Sequence, residues 1–246
     1  MRINIINPTT TEAFARRNLE TAQRFVSPGT TVISTTVASG PVSIESHYDE
    51  ASATIGILEE IAKGEAAGHD AYVIACFGDP GYLAARELAK GPVIGIAEAS
   101  FHIASMIATR FSVVTTLSRT KIIAEHLLKI HGFEHQCARV RATDLEVLAL
   151  EDTGPAACAG IIDECRRAME EDEAAAIVLG CAGMADLADR IQQTIGIPVV
   201  EGVAAGVKLA ETIVGMGLGT SKRGDLDYPL PKRHSGTVAH LTVTKG

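Results

Sequence analysis

The stretches "VIACFGD" at residues 73–79 and "VLGCAGM" at residues 178–184 decide the fold of this 246-residue chain. In each stretch an apolar run ends at a single cysteine, Cys76 or Cys181, with glycine close by. A short apolar run bounded by glycine is typical of a buried strand in a parallel sheet. The recurrence indicates that the chain contains one structural unit twice, with one cysteine in each copy.

Segments on either side of these stretches repeat in the same order. The pairs are "INIINPTT" (3–10) with "VVTTLSRT" (113–120), and "GPVIGIAEA" (91–99) with "GIPVVEGVA" (196–204). Because both copies keep this order, we expect two half-domains related by a pseudo-two-fold axis.

Strand patterns alternate with helical patterns along the whole chain, which predicts parallel sheets covered by helices on both faces. Strands are predicted at 2–7, 30–35, 71–76, 92–97, 111–116, 137–142, 175–181 and 197–202. Helices are predicted at 11–26, 48–63, 81–90, 119–131, 155–171, 184–195 and 203–218. The predicted fold class is α/β, with two pseudo-symmetric Rossmann-like half-domains. One comprises residues 1–98 plus 206–246 and the other residues 99–205, with the active site in the cleft between them.

Composition excludes several classes of function. The net charge is −8 and the sequence pI is about 5.5, whereas nucleic-acid binding requires clustered Lys and Arg. No apolar run approaches the length of a membrane helix, and the first residues lack the pattern of a signal peptide. We therefore expect a cytoplasmic protein with no nucleic-acid or membrane partner. The five cysteines are odd in number and irregularly spaced, which favours free thiols over disulfides or a zinc site.

Two thiols that face each other across a cleft suggest acid–base chemistry. Ligands of parallel sheets bind at the carboxyl ends of the strands, where Cys76 and Cys181 are predicted to meet. Backbone N–H groups and the start of a helix favour a thiolate there. A thiolate on one face of a carbon acid and a thiol on the other can invert a stereocentre without a cofactor. The predicted donors to an adjacent substrate carbonyl are Asn7, Ser43, Thr115 and Thr116.

Other candidates are weaker. A lone cysteine after a strand is more often an inert buried residue, and Cys137, Cys158 and Cys165 are assigned to that class. His126, His131 and His135 are spaced five and four residues apart, but Gly132 is expected to end the helix before His135, so no metal site is predicted.

The motifs "GPVSIESHYDEA" (40–51), "ACFGDPG" (75–81) and "GCAGM" (180–184) together resemble the aspartate/glutamate racemase superfamily, and within it the hydantoin racemases. The resemblance covers most of the chain. It implies a cofactor-independent racemase that acts at C5 of a hydantoin ring and assembles as a homo-oligomer. Cys76 and Cys181 match the two catalytic cysteines of the family. The residues that match its substrate pocket are Asn7, Pro41, Val42, Ser43, Phe77, Gly78, Thr115, Thr116 and Gly183.

The sequence leaves the substrate and three rival functions open. The adjacent Thr115 and Thr116 favour a polar 5-substituent, such as the ureido group of allantoin, over the aromatic or aliphatic substituents of other hydantoins. Related folds also isomerise maleate or decarboxylate malonates. Outside enzymes, the chain could be a non-catalytic protein that only binds a small ring.

Overall fold

The computed structural model describes residues 1–152 and 154–241 of the chain. The strands are Arg2–Asn7 (β1), Thr31–Thr36 (β2), Ala71–Ile74 (β3), Val93–Gly95 (β4), Phe111–Thr115 (β5), Cys137–Ala142 (β6), Ala176–Leu179 (β7) and Val199–Val200 (β8). The helices are Glu12–Gln23 (α1), His47–Ala67 (α2), Tyr82–Leu88 (α3), Ile96–Ile107 (α4), Lys121–His131 (α5), Pro155–Glu171 (α6), Ala188–Ile195 (α7) and Gly202–Gly215 (α8). Short 3₁₀ turns lie at Ser118–Thr120, Val147–Asp152, Ala182–Leu187, Gly224–Leu226 and Gly236–Leu241.

The strands form two parallel four-stranded sheets with the same topology. The first has the order β2-β1-β3-β4 and the second has the order β6-β5-β7-β8. The second and third strands of each sheet are therefore inner strands, and β3 and β7 are buried along their whole length. This repetition confirms the predicted α/β class with two Rossmann-like halves.

One hydrophobic cluster spans both halves of the molecule. Helix α8 packs on β3 and β4 of the first sheet, while α4 packs on α8 and on β7 of the second. Phe101 of α4 is fully buried between Phe77 and Phe111, whose ring centroids lie 5.7 and 6.1 Å from its own. The two sheets are thus held by a shared core. Among the described residues, none of the helices combines the length and the apolar composition that crossing a bilayer requires.

The predicted half-domain boundaries fall inside helices. Residues 98 and 99 both lie in α4, and residues 205 and 206 both lie in α8. The packing of α8 on β3 and β4 is in keeping with its assignment to the first half, but the division itself stays a prediction. The last residues of the predicted first half, 242–246, lie outside the described residues.

Helix α4 was not predicted from the sequence. The strand expected at 92–97 ends at Gly95, and α4 begins at the next residue. Its first turn is capped from a distant loop by the buried carboxylate of Asp79, which accepts hydrogen bonds from the N–H groups of Ala97 (3.0 Å) and Glu98 (2.9 Å). Burial raises the pKa of Asp79 to about 7, although these two hydrogen bonds oppose the shift. A cap supplied by the loop after β3 ties the start of α4 to the segment that follows Cys76.

Candidate active site

Both predicted cysteines line one cavity at the carboxyl ends of the inner strands. Cys76 lies two residues beyond the end of β3, and Cys181 lies two residues beyond the end of β7. The charge of Cys181 also acts on the pKa of Cys76, so the two sulfurs interact electrostatically. The repeated sequence stretches thus place one thiol from each half in a shared cleft, while the catalytic roles of the two thiols stay a prediction.

The cavity has an empty volume of about 660 Å³, which includes the open space at its mouth, and its wall is mainly apolar. Six of the predicted pocket residues line it, namely Asn7, Phe77, Gly78, Thr115, Thr116 and Gly183. Further apolar parts of the wall come from Phe14, Ile44, Ile123, Ala124 and Val147.

Pro41, Val42 and Ser43 were also expected in the pocket, but among the described residues it is Ile44 that lines the cavity from this segment. The backbone before Ile44 is held against the loop that follows β1. The carbonyl oxygen of Pro41 accepts a hydrogen bond from the Thr10 N–H at 2.9 Å, and that of Val42 accepts one from Thr11 Oγ1 at 2.8 Å. Val42 is consequently 56% exposed. The expectation that these three residues form the cavity wall is therefore corrected to Ile44.

Two of the predicted substrate donors are engaged within the protein. The Asn7 amide donates to the carbonyl oxygens of Thr9 (3.1 Å) and Thr11 (3.0 Å), so it shapes the loop after β1. Thr115 Oγ1 donates to the carbonyl oxygen of Gly180 at 3.0 Å and ties β5 to the end of β7. The described structure gives the Thr116 hydroxyl no protein partner, which leaves Thr116 as the side-chain donor that a ligand can reach.

The environment of the thiols differs from the sequence-based expectation of a stabilised thiolate. Burial raises the pKa of Cys181 to about 11, with an opposing hydrogen bond from the Gly183 N–H and an added contribution from the charge of Glu45. Burial raises the pKa of Cys76 even further, opposed by the Gly78 N–H and reinforced by the charge of Glu50. Desolvation therefore outweighs the backbone donors, and both thiols are neutral at rest near pH 7.

The sequence analysis missed two carboxylates that approach the cysteines. Glu50 lines the cavity beside Gly78. The charge of Glu45 raises the pKa of Cys181, and Oε1 of Glu45 accepts a hydrogen bond from the Val147 N–H at 2.9 Å. Ser46 Oγ accepts a hydrogen bond from the Asp49 N–H as the N-cap of α2. The helix predicted at 48–63 already placed Glu50 in a first turn, but no signal in the sequence placed that turn beside the loop after β3.

Within the described parts of the chain, no three His, Cys, Asp or Glu side chains converge in a way that could hold a metal ion. The chemical groups available at the site are thus the two thiols, the Thr116 hydroxyl, the Glu50 carboxylate and backbone N–H groups.

Fold and site together define an α/β enzyme whose two halves each contribute a thiol to one cleft. A family model described as Asp/Glu/Hydantoin racemase matches residues 3–210. The chain belongs to this family, and it is an isomerase of the racemase type.

Individual relatives agree with this placement. A hydantoin racemase of Pseudomonas sp. (strain NS671) is 46% identical over 249 residues, which covers 100% of both chains. A hydantoin racemase of Rhizobium meliloti is 48% identical over 236 residues, covering 96% of this chain and 98% of the relative. Among solved structures, an allantoin racemase from Klebsiella pneumoniae superposes with a TM-score of 0.96 at 50% identity and covers 98% of this chain and 99% of its own. Membership of a racemase family sets aside the alternative of a non-catalytic binding protein.

Proposed function

We propose that this enzyme inverts C5 of 5-substituted hydantoins by a two-base mechanism, with Cys76 and Cys181 as the two bases and allantoin as the substrate. The observation that carries the proposal is that one thiol from each half lines the same cavity. The named activities of relatives that are 46–50% identical over nearly the whole chain support the substrate class.

The chemistry follows from the placement of the thiols. One cysteine, as thiolate, removes the C5 proton, and the electron pair left on C5 is delocalised onto the adjacent ring carbonyl. The other cysteine, as thiol, donates its proton to the opposite face of C5. The product is the mirror image of the substrate, and the two cysteines have exchanged thiolate and thiol forms. As proposed, the reaction needs no cofactor, because proton transfer is its only chemical step.

Two features of the wall bear on the choice of substrate. Thr116 and Glu50 are polar groups that suit the ureido substituent of allantoin. The apolar side chains of Phe14, Ile44 and Val147 would suit an aliphatic or aromatic substituent, which is the second candidate. The 50% identity to an allantoin racemase favours the first. Assembly as a homo-oligomer and a cytoplasmic location remain predictions.

The proposal predicts a distinctive isotope pattern in D₂O. Each single enantiomer of allantoin and of 5-benzylhydantoin is incubated with the enzyme, and circular dichroism and proton NMR follow the reaction. The optical signal should decay to zero, and deuterium should enter C5 of the newly formed enantiomer before it enters the remaining substrate. This order is expected because the proton is removed by one thiol and replaced from the other. Unchanged optical activity with both compounds would overturn the proposed function.

The raised pKa of Cys181 predicts an alkaline pH dependence. The thiolate fraction, and hence kcat/KM, should rise about tenfold per pH unit from about pH 7 towards the pKa near 11. Ultraviolet absorbance of the thiolate, titrated without substrate, should show the same rise, and Cys181→Ser should remove its first step because the pKa of Cys76 lies higher. A thiolate signal already complete at neutral pH would contradict this prediction. Since the thiols interact, the measured values belong to the pair.

A further inference from the structure

Among the described residues, only one of the two carboxylate oxygens of Glu50 has a hydrogen-bond partner. Its Oε2 lies 3.1 Å from Nδ1 of His47, one turn away on α2. Its Oε1 is buried, and it has no hydrogen-bond partner among the described residues. A buried acceptor without a donor is costly, and more so when it carries charge. Such an atom in a cavity wall indicates that a ligand supplies the missing donor.

The unsatisfied oxygen lies next to one of the two thiols. Oε1 packs against the backbone of Gly78, so closely that a Cβ built on Gly78 would overlap it. The N–H of the same Gly78 hydrogen-bonds the sulfur of Cys76. Oε1 of Glu50 and the Cys76 sulfur thus adjoin the same short piece of backbone, on the first half's side of the cavity.

The rest of the wall provides no equivalent acceptor. Oδ1 of Asn7 accepts from the N–H and the hydroxyl of Thr9, and the Thr115 hydroxyl is bonded to Gly180. Of the lining side chains that the structure describes, Glu50 alone carries a fully inaccessible oxygen or nitrogen atom that no protein group reaches, and the hydroxyl of Thr116, which also lacks a partner, is neutral. The cavity therefore offers one strong, unengaged acceptor, and it is anionic.

A hydantoin with C5 between the two sulfurs has N–H groups close to that acceptor. The ring nitrogen N1 is bonded directly to C5, and in allantoin the first nitrogen of the ureido substituent is bonded to C5 as well. An N–H on either atom lies within a few ångströms of the sulfur that removes the C5 proton. A hydrogen bond from such an N–H to a carboxylate is charge-assisted and also fixes the orientation of the ring.

Resting on the proposed function, we infer that Oε1 of Glu50 binds the substrate by accepting a hydrogen bond from an N–H attached to C5. Glu50 is then a substrate-binding residue that selects hydantoins with this donor free. The ring N–H and the ureido N–H share this chemistry, and they are distinguished by the choice of substrate.

The experiment compares Glu50→Gln and Glu50→Leu with the wild type on single enantiomers of allantoin and 5-benzylhydantoin. Loss of the charged acceptor should lower kcat/KM about 10- to 100-fold, mainly through a higher KM, and Glu50→Leu should lose more than Glu50→Gln. A loss with both substrates assigns the ring N–H as the donor. A loss confined to allantoin assigns the ureido N–H. Either result supports the inference.

The matched control is Glu59→Gln, which removes a charge from the same helix outside the cavity, where Glu59 pairs with His240 at 2.6 Å. It should leave the kinetics unchanged. Because Glu50→Gln removes an unsatisfied buried charge, its unfolding midpoint should equal or exceed that of the wild type, whereas a structural role would lower it. Unaltered kinetics, or a Glu50→Gln protein that fails to fold, would overturn the inference. If the wild type racemises neither hydantoin, the proposed function itself has failed.

Discussion

Replacing either Cys76 or Cys181 with Ser should lower the rate of racemisation about 10³-fold, because a serine hydroxyl is a far weaker acid than a thiol and does not ionise to act as a base. Each variant keeps one working thiol, so each should still exchange the C5 hydrogen of one enantiomer with solvent. Cys76→Ser should exchange the enantiomer whose hydrogen faces Cys181, and Cys181→Ser should exchange its mirror image. Proton NMR in D₂O measures the exchange, and circular dichroism measures the racemisation.

The control for these variants is Cys137→Ser. Cys137 is half-buried in β6, does not line the cavity, and donates to the carbonyl oxygen of Arg139 at 3.5 Å. This change should leave the racemisation rate as it is. Wild-type rates after substitution of both Cys76 and Cys181 would remove the two-base assignment. Exchange of the same enantiomer by both single variants would place the two thiols on one face and contradict the cleft geometry.

The second large effect concerns stability. Replacing Arg141 with Met should lower the free energy of unfolding by about 3–5 kcal/mol, because the buried carboxylate of Asp172 loses its buried cationic partner and keeps only the exposed Arg139 and the Ser112 hydroxyl. Arg141 Nε and Nη2 bind Asp172 Oδ2 and Oδ1 at 2.6 and 2.7 Å. Its guanidinium also reaches Glu164 at 3.0 Å and Glu171 at 2.7 Å. The side chains of Arg141 and Asp172 are only 3% and 2% exposed, so water cannot replace the lost bonds.

The size of this effect should depend on pH. Burial acts to raise the pKa of Asp172, but hydrogen bonds from Arg141 and Ser112 outweigh it and hold the pKa below its ordinary value of 3.8. The group therefore contributes stability above pH 3.8, and this contribution is lost as pH falls through the lowered pKa. Urea unfolding of wild type and variant should give a difference that is full near neutral pH and shrinks in acid.

Arg167→Met is the matched control for Arg141→Met. Arg167 lies on the same face of α6 as Glu164 and Glu171 and pairs with each of them at 3.0 Å, but its side chain is 58% exposed. An exposed pair contributes far less to stability than a buried one, since water screens it, so Arg167→Met should lower the free energy of unfolding only slightly. Similar losses for the two variants would mean that burial of the Arg141 cluster does not determine its contribution to stability.

The sequence predicted much of the fold because local patterns were consistent with the tertiary structure. The apolar runs that end at Cys76 and Cys181 are buried on both faces, so β3 and β7 could be placed from composition alone. Helix α6 was predicted at its observed bounds, 155–171, because a proline starts it and its apolar residues recur at helical spacing.

Helix α4 could not be placed in the same way. It lies between the two halves and packs against α8 and the second sheet, and its first residues, Ile96 and Ala97, continue the apolar run of the strand before it, so the strand pattern hides where the helix begins. Its cap, Asp79 in "CFGDPG", is seventeen positions before the helix start and was assigned only generally to helix capping. A cap contributed by a distant loop leaves no signature at the helix itself.

The site residues at the ends of strands could be predicted from the sequence. The residues that tertiary packing brings to the cavity could not. Cys76, Gly78, Cys181 and Gly183 follow directly from the repeat. Glu50 reaches the cavity only because α2 begins beside the loop after β3, a relation between segments that spacing cannot show. The protonation state of the thiols was mispredicted for a similar reason, since it depends on how fully the folded protein excludes water from each sulfur.

The two halves are alike in topology but not in the groups around their thiols. Glu50 adjoins only the Cys76 side. The charge of Glu45 raises the pKa of Cys181, and the Glu45 carboxylate accepts a hydrogen bond from the Val147 N–H. Mirror-image reactants have an equilibrium constant of one, so the Haldane relation requires equal kcat/KM in the two directions. The unequal walls can therefore change kcat and KM only in proportion to each other. The enantiomer that binds more tightly must also turn over more slowly.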